Sequence, residues 1–96
     1  MENVKRKKEI VHNLVKEIAK ISPSDENVET QMMLDDSRGH YVLFSVGWEN
    51  RQREYNSFLH IDVKEDGKVW LQHDGTNLKV ALLLVEKGIP KNDIVL

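Results

Sequence analysis

Two histidine–aspartate pairs hold the residues of this chain whose types and spacing invite chemistry. His60 and Asp62 are separated by one residue, and His73 and Asp74 are adjacent further along. In extended backbone, residues two apart share a face, so His60 and Asp62 point the same way, and His73-Asp74 at the end of the next strand lies close to them. A metal site needs three or four converging ligands and partners that orient them. Polar cross-strand pairs that stabilise a sheet account for the same residues, and that is the reading adopted. His12 falls on a helix and His40 begins a strand, and nothing in the pattern joins them to these pairs. No serine occupies a nucleophile-elbow context and no glycine-rich loop could cradle a phosphate. Asp74-Gly75-Thr76 opens a helix, where free amides attract anions, but Asp74 would itself repel one. The chain has no cysteine, which excludes disulfides, thiolate zinc sites and cysteine nucleophiles. The expectation is therefore a protein with no catalytic residue, no bound metal and no cofactor.

The elements that position these residues can be read from periodicity. Ile61 and Val63 alternate with polar residues, as do Val69 and Leu71, the period of half-buried strands. A two-residue Asp66-Gly67 turn would put Val69 on the face of Asp62. A three-residue loop with Gly67 in the left-handed conformation pairs Val63 with Val69 and Ile61 with Leu71. Burial favours the second register, because all four aliphatic side chains then share one face. The opposite face carries Phe58, His60, Asp62, Trp70 and Gln72.

Val4, Val11, Leu14, Val15, Ile18 and Ile21 recur at helical spacing, so residues 2–21 are expected to form an amphipathic helix. Lys7 falls inside its apolar stripe, so either the first turn frays or the lysine stem snorkels outward. Ser22-Pro23-Ser24 ends the helix. Residues 28–35 read as a strand, with Val28, Thr30, Met32 and Leu34 on one side, and residues 35–39 as a turn. Residues 40–48 read as a second strand, with Val42, Phe44 and Val46 inward and Tyr41, Leu43 and Ser45 outward. Residues 54–64 and 68–73 form the hairpin. A second helix opens at Asp74-Gly75-Thr76, where Asp74 or Thr76 can accept from free amides, and it closes at Gly88 before Pro90. It is apolar almost all round, and such a helix is buried on more than one side. Ile94-Val95-Leu96 reads as a short final strand. The predicted class is α+β: an N-terminal helix, a four-stranded antiparallel meander, a second helix and a short C-terminal strand.

The 96 residues make one domain, small enough that self-association would add stability, so a homodimer is expected. With 40% hydrophobic and 31% charged residues the composition is that of a folded soluble chain. No apolar run approaches the roughly 20 residues that span a bilayer, and the charged N-terminus lacks a signal core. A cytoplasmic location is expected, with no membrane partner. The net charge of −2 divides unevenly. Residues 1–20 carry a balance of +3, including Lys5, Arg6, Lys7 and Lys8, and the remainder carries −5. Lys5, Arg6, Lys7 and Lys8 are thus candidate DNA contacts, since clustered positive charge is what phosphates recognise, but a solvated helix face explains them better and is the reading adopted. Any contact with DNA is expected to be indirect or weak. Tyr41, Leu43, Phe58, Trp70 and Gln72, if exposed on the outer sheet face, would form an aromatic surface for a protein partner.

Several spaced segments resemble the XisI family: Val46-Gly47-Trp48, His60-Ile61-Asp62, Gly67-Lys68-Val69-Trp70-Leu71-Gln72, Asp74-Gly75-Thr76 and residues 88–96, together with Val28-Glu29-Thr30-Gln31. Their order and spacing extend the resemblance over essentially the whole chain. Members of that family are controlling factors for excision of the fdxN element in filamentous cyanobacteria. The resemblance implies an accessory protein in programmed DNA rearrangement, acting beside a recombinase and an endonuclease-like companion, XisH, and it supplies no active site. Family members continue with a Phe-His-Pro-Pro-like segment, so further residues are expected after the apolar run that reaches Leu96.

Overall fold

The structure is a computed structural model that describes residues 2–22 and 26–96. Its elements are α1 (Glu2–Ile21), β1 (Val28–Asp35), β2 (His40–Glu49), β3 (Gln52–Val63), β4 (Val69–Asp74), α2 (Val80–Glu86), a 3-10 turn (Lys91–Asp93) and β5 (Ile94–Val95). The sheet order is β1-β2-β3-β4-β5. The first four strands form the expected antiparallel meander, and β5 lies parallel to β4, with Val69 opposite Ile94 and Trp70 opposite Val95. The α+β class and its element order are those read from the sequence.

Both helices pack on one face of the sheet. Val11, Leu14, Val15 and Ile18 of α1 meet Tyr41, Leu43, Leu59, Ile61, Val63 and Val69 of the strands, with Val80 and Leu84 of α2 and Ile89 completing the core. The α1 stripe is the predicted one as far as Ile18, whereas Ile21, expected to belong to it, is 67% exposed at the helix end. Ser22 closes the helix by donating its hydroxyl to the Ile18 carbonyl at 2.7 Å. The Pro23-Ser24 part of the predicted break lies outside the described residues.

Lys7 departs from both expectations, since the helix runs through it and its amine is bonded inside the protein instead of being held out in solvent. Only 8% exposed, it donates to the Gly67 carbonyl and to Asp93 Oδ2, each at 2.8 Å. The stripe tolerates a lysine because a carbonyl and a carboxylate meet the charge at its end, which offsets the desolvation that an unpaired ammonium would suffer.

The β3–β4 loop has the three-residue form. Val63 pairs with Val69 and Ile61 with Leu71, the Lys64 N–H donates to the Lys68 carbonyl at 2.9 Å, and Gly67 sits at φ 87°. The β1–β2 turn closes at Gly39 (φ 77°), where an added Cβ would lie 2.3 Å from the Val63 carbonyl oxygen. A larger residue there would break the close approach that joins this turn to β3.

Two bulges reset the strand faces. Leu43 pairs with Leu59 but Phe44 with Ser57, leaving Phe58 as an extra residue of β3. His60 pairs with His73 but Ile61 with Leu71, leaving Gln72 extra in β4. Such insertions break the alternation of faces and increase local twist.

The second helix is shorter than expected, starting at Val80 rather than beside Thr76. Asp74 organises the intervening loop: its Oδ1 accepts from the Thr76 N–H and hydroxyl, and its Oδ2 accepts from the Val80 N–H at 3.0 Å. These side-chain bonds compete with the first helical turn. The end is the predicted one, the Ile89 N–H donating to Leu84 and the Gly88 N–H to Val85, with Leu84 and Ile89 both buried. Within this chain α2 is buried on one side only. Val80 and Leu84 face the core, while Leu78, Leu82 and Val85 are exposed.

Candidate functional site

The face of the sheet away from both helices carries the residues whose roles packing does not explain. Alternation places His40, Val42, Phe44, Val46 and Trp48 of β2 on it, opposite Asp62, His60, Ser57, Tyr55 and Arg53 of β3. Met33 pairs with Val42, and Trp70 of β4 lies opposite Asp62. This corrects the predicted orientation of β2, whose two parities are both apolar. Tyr41 and Leu43 are fully buried beneath α1, because they stand opposite Ile61 and Leu59 in the register. They are core residues, and Val42, Phe44 and Val46 face outward instead.

Of the five residues proposed as an outer surface, two remain there. Trp70 is 38% exposed and Gln72 is exposed. Phe58 is drawn by the β3 bulge into partial contact with the core, and its carbonyl accepts from the Gly75 N–H at 2.7 Å. In their place the sheet presents an aromatic group in which the sequence pattern turns Phe44 inward and gives Trp48 and Tyr55 no face. Phe44 packs on Tyr55, ring centroids 5.5 Å apart, and the Arg53 guanidinium lies 5.7 Å from the Trp48 ring. Tyr55 is 60% exposed and Trp48 57% exposed. The signal available in sequence was the hairpin itself: with Ile61 inward, any residue paired opposite Asp62 or His60 must face outward.

A polar cluster adjoins this surface. Asp62, 4% exposed, receives His40 Nδ1 at 2.7 Å and His60 Nε2 at 2.9 Å on the same oxygen, Oδ1. Gln72 Nε2 donates to Oδ2 at 3.1 Å, with Lys64 Nζ at 3.9 Å. Burial opposes ionisation of this carboxyl, but the hydrogen bonds from His40, Gln72 and His60 together outweigh it and hold its pKa below the usual carboxylate range. The expected neighbourhood holds in part, since His73 pairs opposite His60, but the hydrogen-bonded cluster is built differently. Asp74 turns to the α2 loop, and His40 from β2 takes the third place because the β1–β2 turn ends directly opposite Asp62.

A second polar group sits at the helix-covered edge. Asp36 Oδ1 accepts the Tyr41 hydroxyl at 2.8 Å and lies 3.0 Å from His12 Nδ1. Burial, with Asp36 beside it, pushes the Tyr41 phenol well above its ordinary value. A phenol made harder to ionise that donates to a carboxylate fastens the turn to β2, with His12 of α1 against the same oxygen, rather than forming an acid–base centre.

The basic run on α1 is divided. Lys7 is held by Asp93 and Gly67, Lys8 Nζ reaches the Ser37 carbonyl at 3.4 Å, and Lys5 and Arg6 are exposed. Exposed positive charge is therefore smaller than the four consecutive cations suggest.

The comparisons with known proteins agree with this architecture. The model of the XisI protein family matches residues 1–96. This chain is a member of the XisI family. A crystal structure of a XisI-like protein from Anabaena variabilis superposes with a TM-score of 0.90 at 40% identity, covering 97% of this chain and 84% of that one. The crystal structure of the fdxN element excision controlling factor XisI from the same organism gives a TM-score of 0.84 at 25% identity, covering 98% and 85% respectively. No protein with a curated description matches the chain. In this chain α1 and α2 form one layer on a five-stranded sheet, and no helix among the described residues covers the other face.

Proposed function

We propose that this XisI-family protein is a non-enzymatic accessory factor in programmed excision of a DNA element, and that it acts by binding an endonuclease-like companion of the XisH type. The excision role comes from the Anabaena relative, a fdxN element excision controlling factor. The observation that carries the binding role is the open sheet face. Phe44, Tyr55, Trp48 and Trp70 stand on paired strands of the face that no helix among the described residues covers. Aromatic side chains of this kind supply large contact area at small conformational cost. No helix among the described residues is long and apolar enough to cross a membrane, which fits the proposed action in the cytoplasm beside DNA. Leu82 and Val85 of α2, with Leu78 of the loop before it, are exposed and form a separate apolar surface, which we assign to a homodimer contact.

Co-expression with the companion encoded nearest to this chain tests the reading. The two proteins should co-purify, and Trp70→Ala or Tyr55→Ala should weaken the complex by about 2 kcal/mol or more while the unfolding curve hardly moves. Full binding by both variants, or failure of the wild-type chains to associate, would remove this reading.

A further inference from the structure

We propose that His40, His60 and Asp62 form a binding site for a divalent transition-metal ion of the zinc class, held by two imidazole nitrogens and one carboxylate oxygen on the open face of the sheet. Each of the three residues offers one ligand atom, an imidazole nitrogen or a carboxylate oxygen, and these atoms all lie within 4.8 Å of one another. His40 Nδ1 and His60 Nε2 already approach Asp62 Oδ1, at 2.7 and 2.9 Å. Ligands about 2.0–2.1 Å from one ion are separated by about 2.9 Å when they meet at right angles and by about 3.3 Å in a tetrahedron. The two contacts with Asp62 already match such an edge, and the site forms when side-chain rotations bring the two imidazole nitrogens, now within 4.8 Å of each other, to about 3.3 Å.

Three further features distinguish this cluster from an ordinary surface polar pair. Its acid is buried rather than solvated, so a cation would neutralise a charge that Lys64 reaches only at 3.9 Å. Its three members stand on adjacent strands of one sheet, with His40 directly opposite Asp62 and His60 two residues from it. Backbone pairing fixes such positions far better than a loop would. Finally, Gln72 Nε2 holds the other carboxylate oxygen at 3.1 Å, the kind of partner that orients a ligating carboxylate. His40 and His60 side chains retain 49% and 37% exposure, so the remaining coordination positions open to solvent beside Trp70. Two imidazoles and a carboxylate suit zinc, cobalt(II), nickel(II) or iron(II) and are a poor set for calcium or magnesium, which prefer oxygen donors. The inference is independent of the partner-binding reading.

The test uses the full chain without a histidine tag, stripped with EDTA and dialysed, then titrated with zinc chloride alone against a chromophoric chelator. The expected result is about one ion retained per chain, with a higher Tm in zinc than in chelator. Cobalt(II) in place of zinc should give a d–d absorption band that zinc displaces. His40→Ala and His60→Ala, at half-exposed positions, should each weaken affinity at least about 100-fold, at or above the top of the about 10–100-fold range for losing a ligand's hydrogen-bond partner. Gln72→Leu should fall within that range. His12→Ala, across the sheet, should leave affinity unchanged. Zinc lost on dialysis of the wild-type chain, or retained equally by both His40→Ala and His60→Ala, would overturn the proposal. Each variant's unfolding curve in chelator shows that it is folded, and should one histidine variant not fold, the other decides.

Discussion

The two faces of the sheet are built from the same four long strands and have opposite characters. The covered face is aliphatic, with Leu43, Leu59, Ile61 and Val69 excluded from water beneath α1 and α2. The open face combines a buried acid and its two histidines with aromatic rings that remain largely in solvent. A substitution on the first face should therefore be read in folding stability, and one on the second in binding. The contrast follows from a single helical layer, which buries one side of the sheet and, among the described residues, leaves the other without a covering helix.

The contrast fails if the covered face proves tolerant. Leu59→Ala should cost about 2–5 kcal/mol of stability through the lost contacts and the cavity, measured by chemical denaturation. Trp70→Ala sharpens it from the other side. It should leave denaturation close to wild type while weakening companion binding by about 2 kcal/mol or more. A loss of about 3–5 kcal/mol in folding stability instead would make Trp70 a core residue. Gly67→Val should cost about 1–2 kcal/mol, because a β-branched residue is strained at positive φ and φ is 87° there. An unchanged Tm would mean that the loop can adopt another register.

Two smaller effects concern the edges of the covered layer. The Lys7 ammonium beside Asp93 is the largest influence on that carboxyl and lowers its pKa from the ordinary 3.8. The stabilisation is thus present above the unfolded value and is lost as pH falls through the lower folded one. Lys7→Met should flatten the acid limb of the stability profile below about pH 4, measured by denaturation at several pH values. Leu82→Glu, on the exposed side of α2, should abolish the proposed dimer in light scattering and leave the monomer fold unaltered.

Much of this organisation was legible beforehand because local rules were unambiguous. The α1 stripe, the Gly67 loop and the Gly88 helix end each followed from residue type at fixed spacing. The orientation of β2 did not, since Tyr41 and Leu43 alternate with Val42 and Phe44 and both sets are apolar. Only pairing with β3 decides between them. The bulges at Phe58 and Gln72 leave no local signature, and they changed which side chains share a face. His40 escaped notice for the same reason: its place beside Asp62 is a consequence of register between strands rather than of spacing along one. Lys7 was legible as an anomaly but not as a bond, because its partners lie 60 and 86 residues away.

That last separation has a kinetic consequence. Closing a contact across 86 residues exacts more chain entropy than any hairpin in the meander, so Lys7 and Asp93 should meet after the sheet has formed. Interactions absent from the transition state govern how fast a protein comes apart, with little influence on how fast it assembles. The ion pair would then act as a latch: stopped-flow measurements on Lys7→Met should find the refolding limb nearly unmoved and the unfolding limb accelerated.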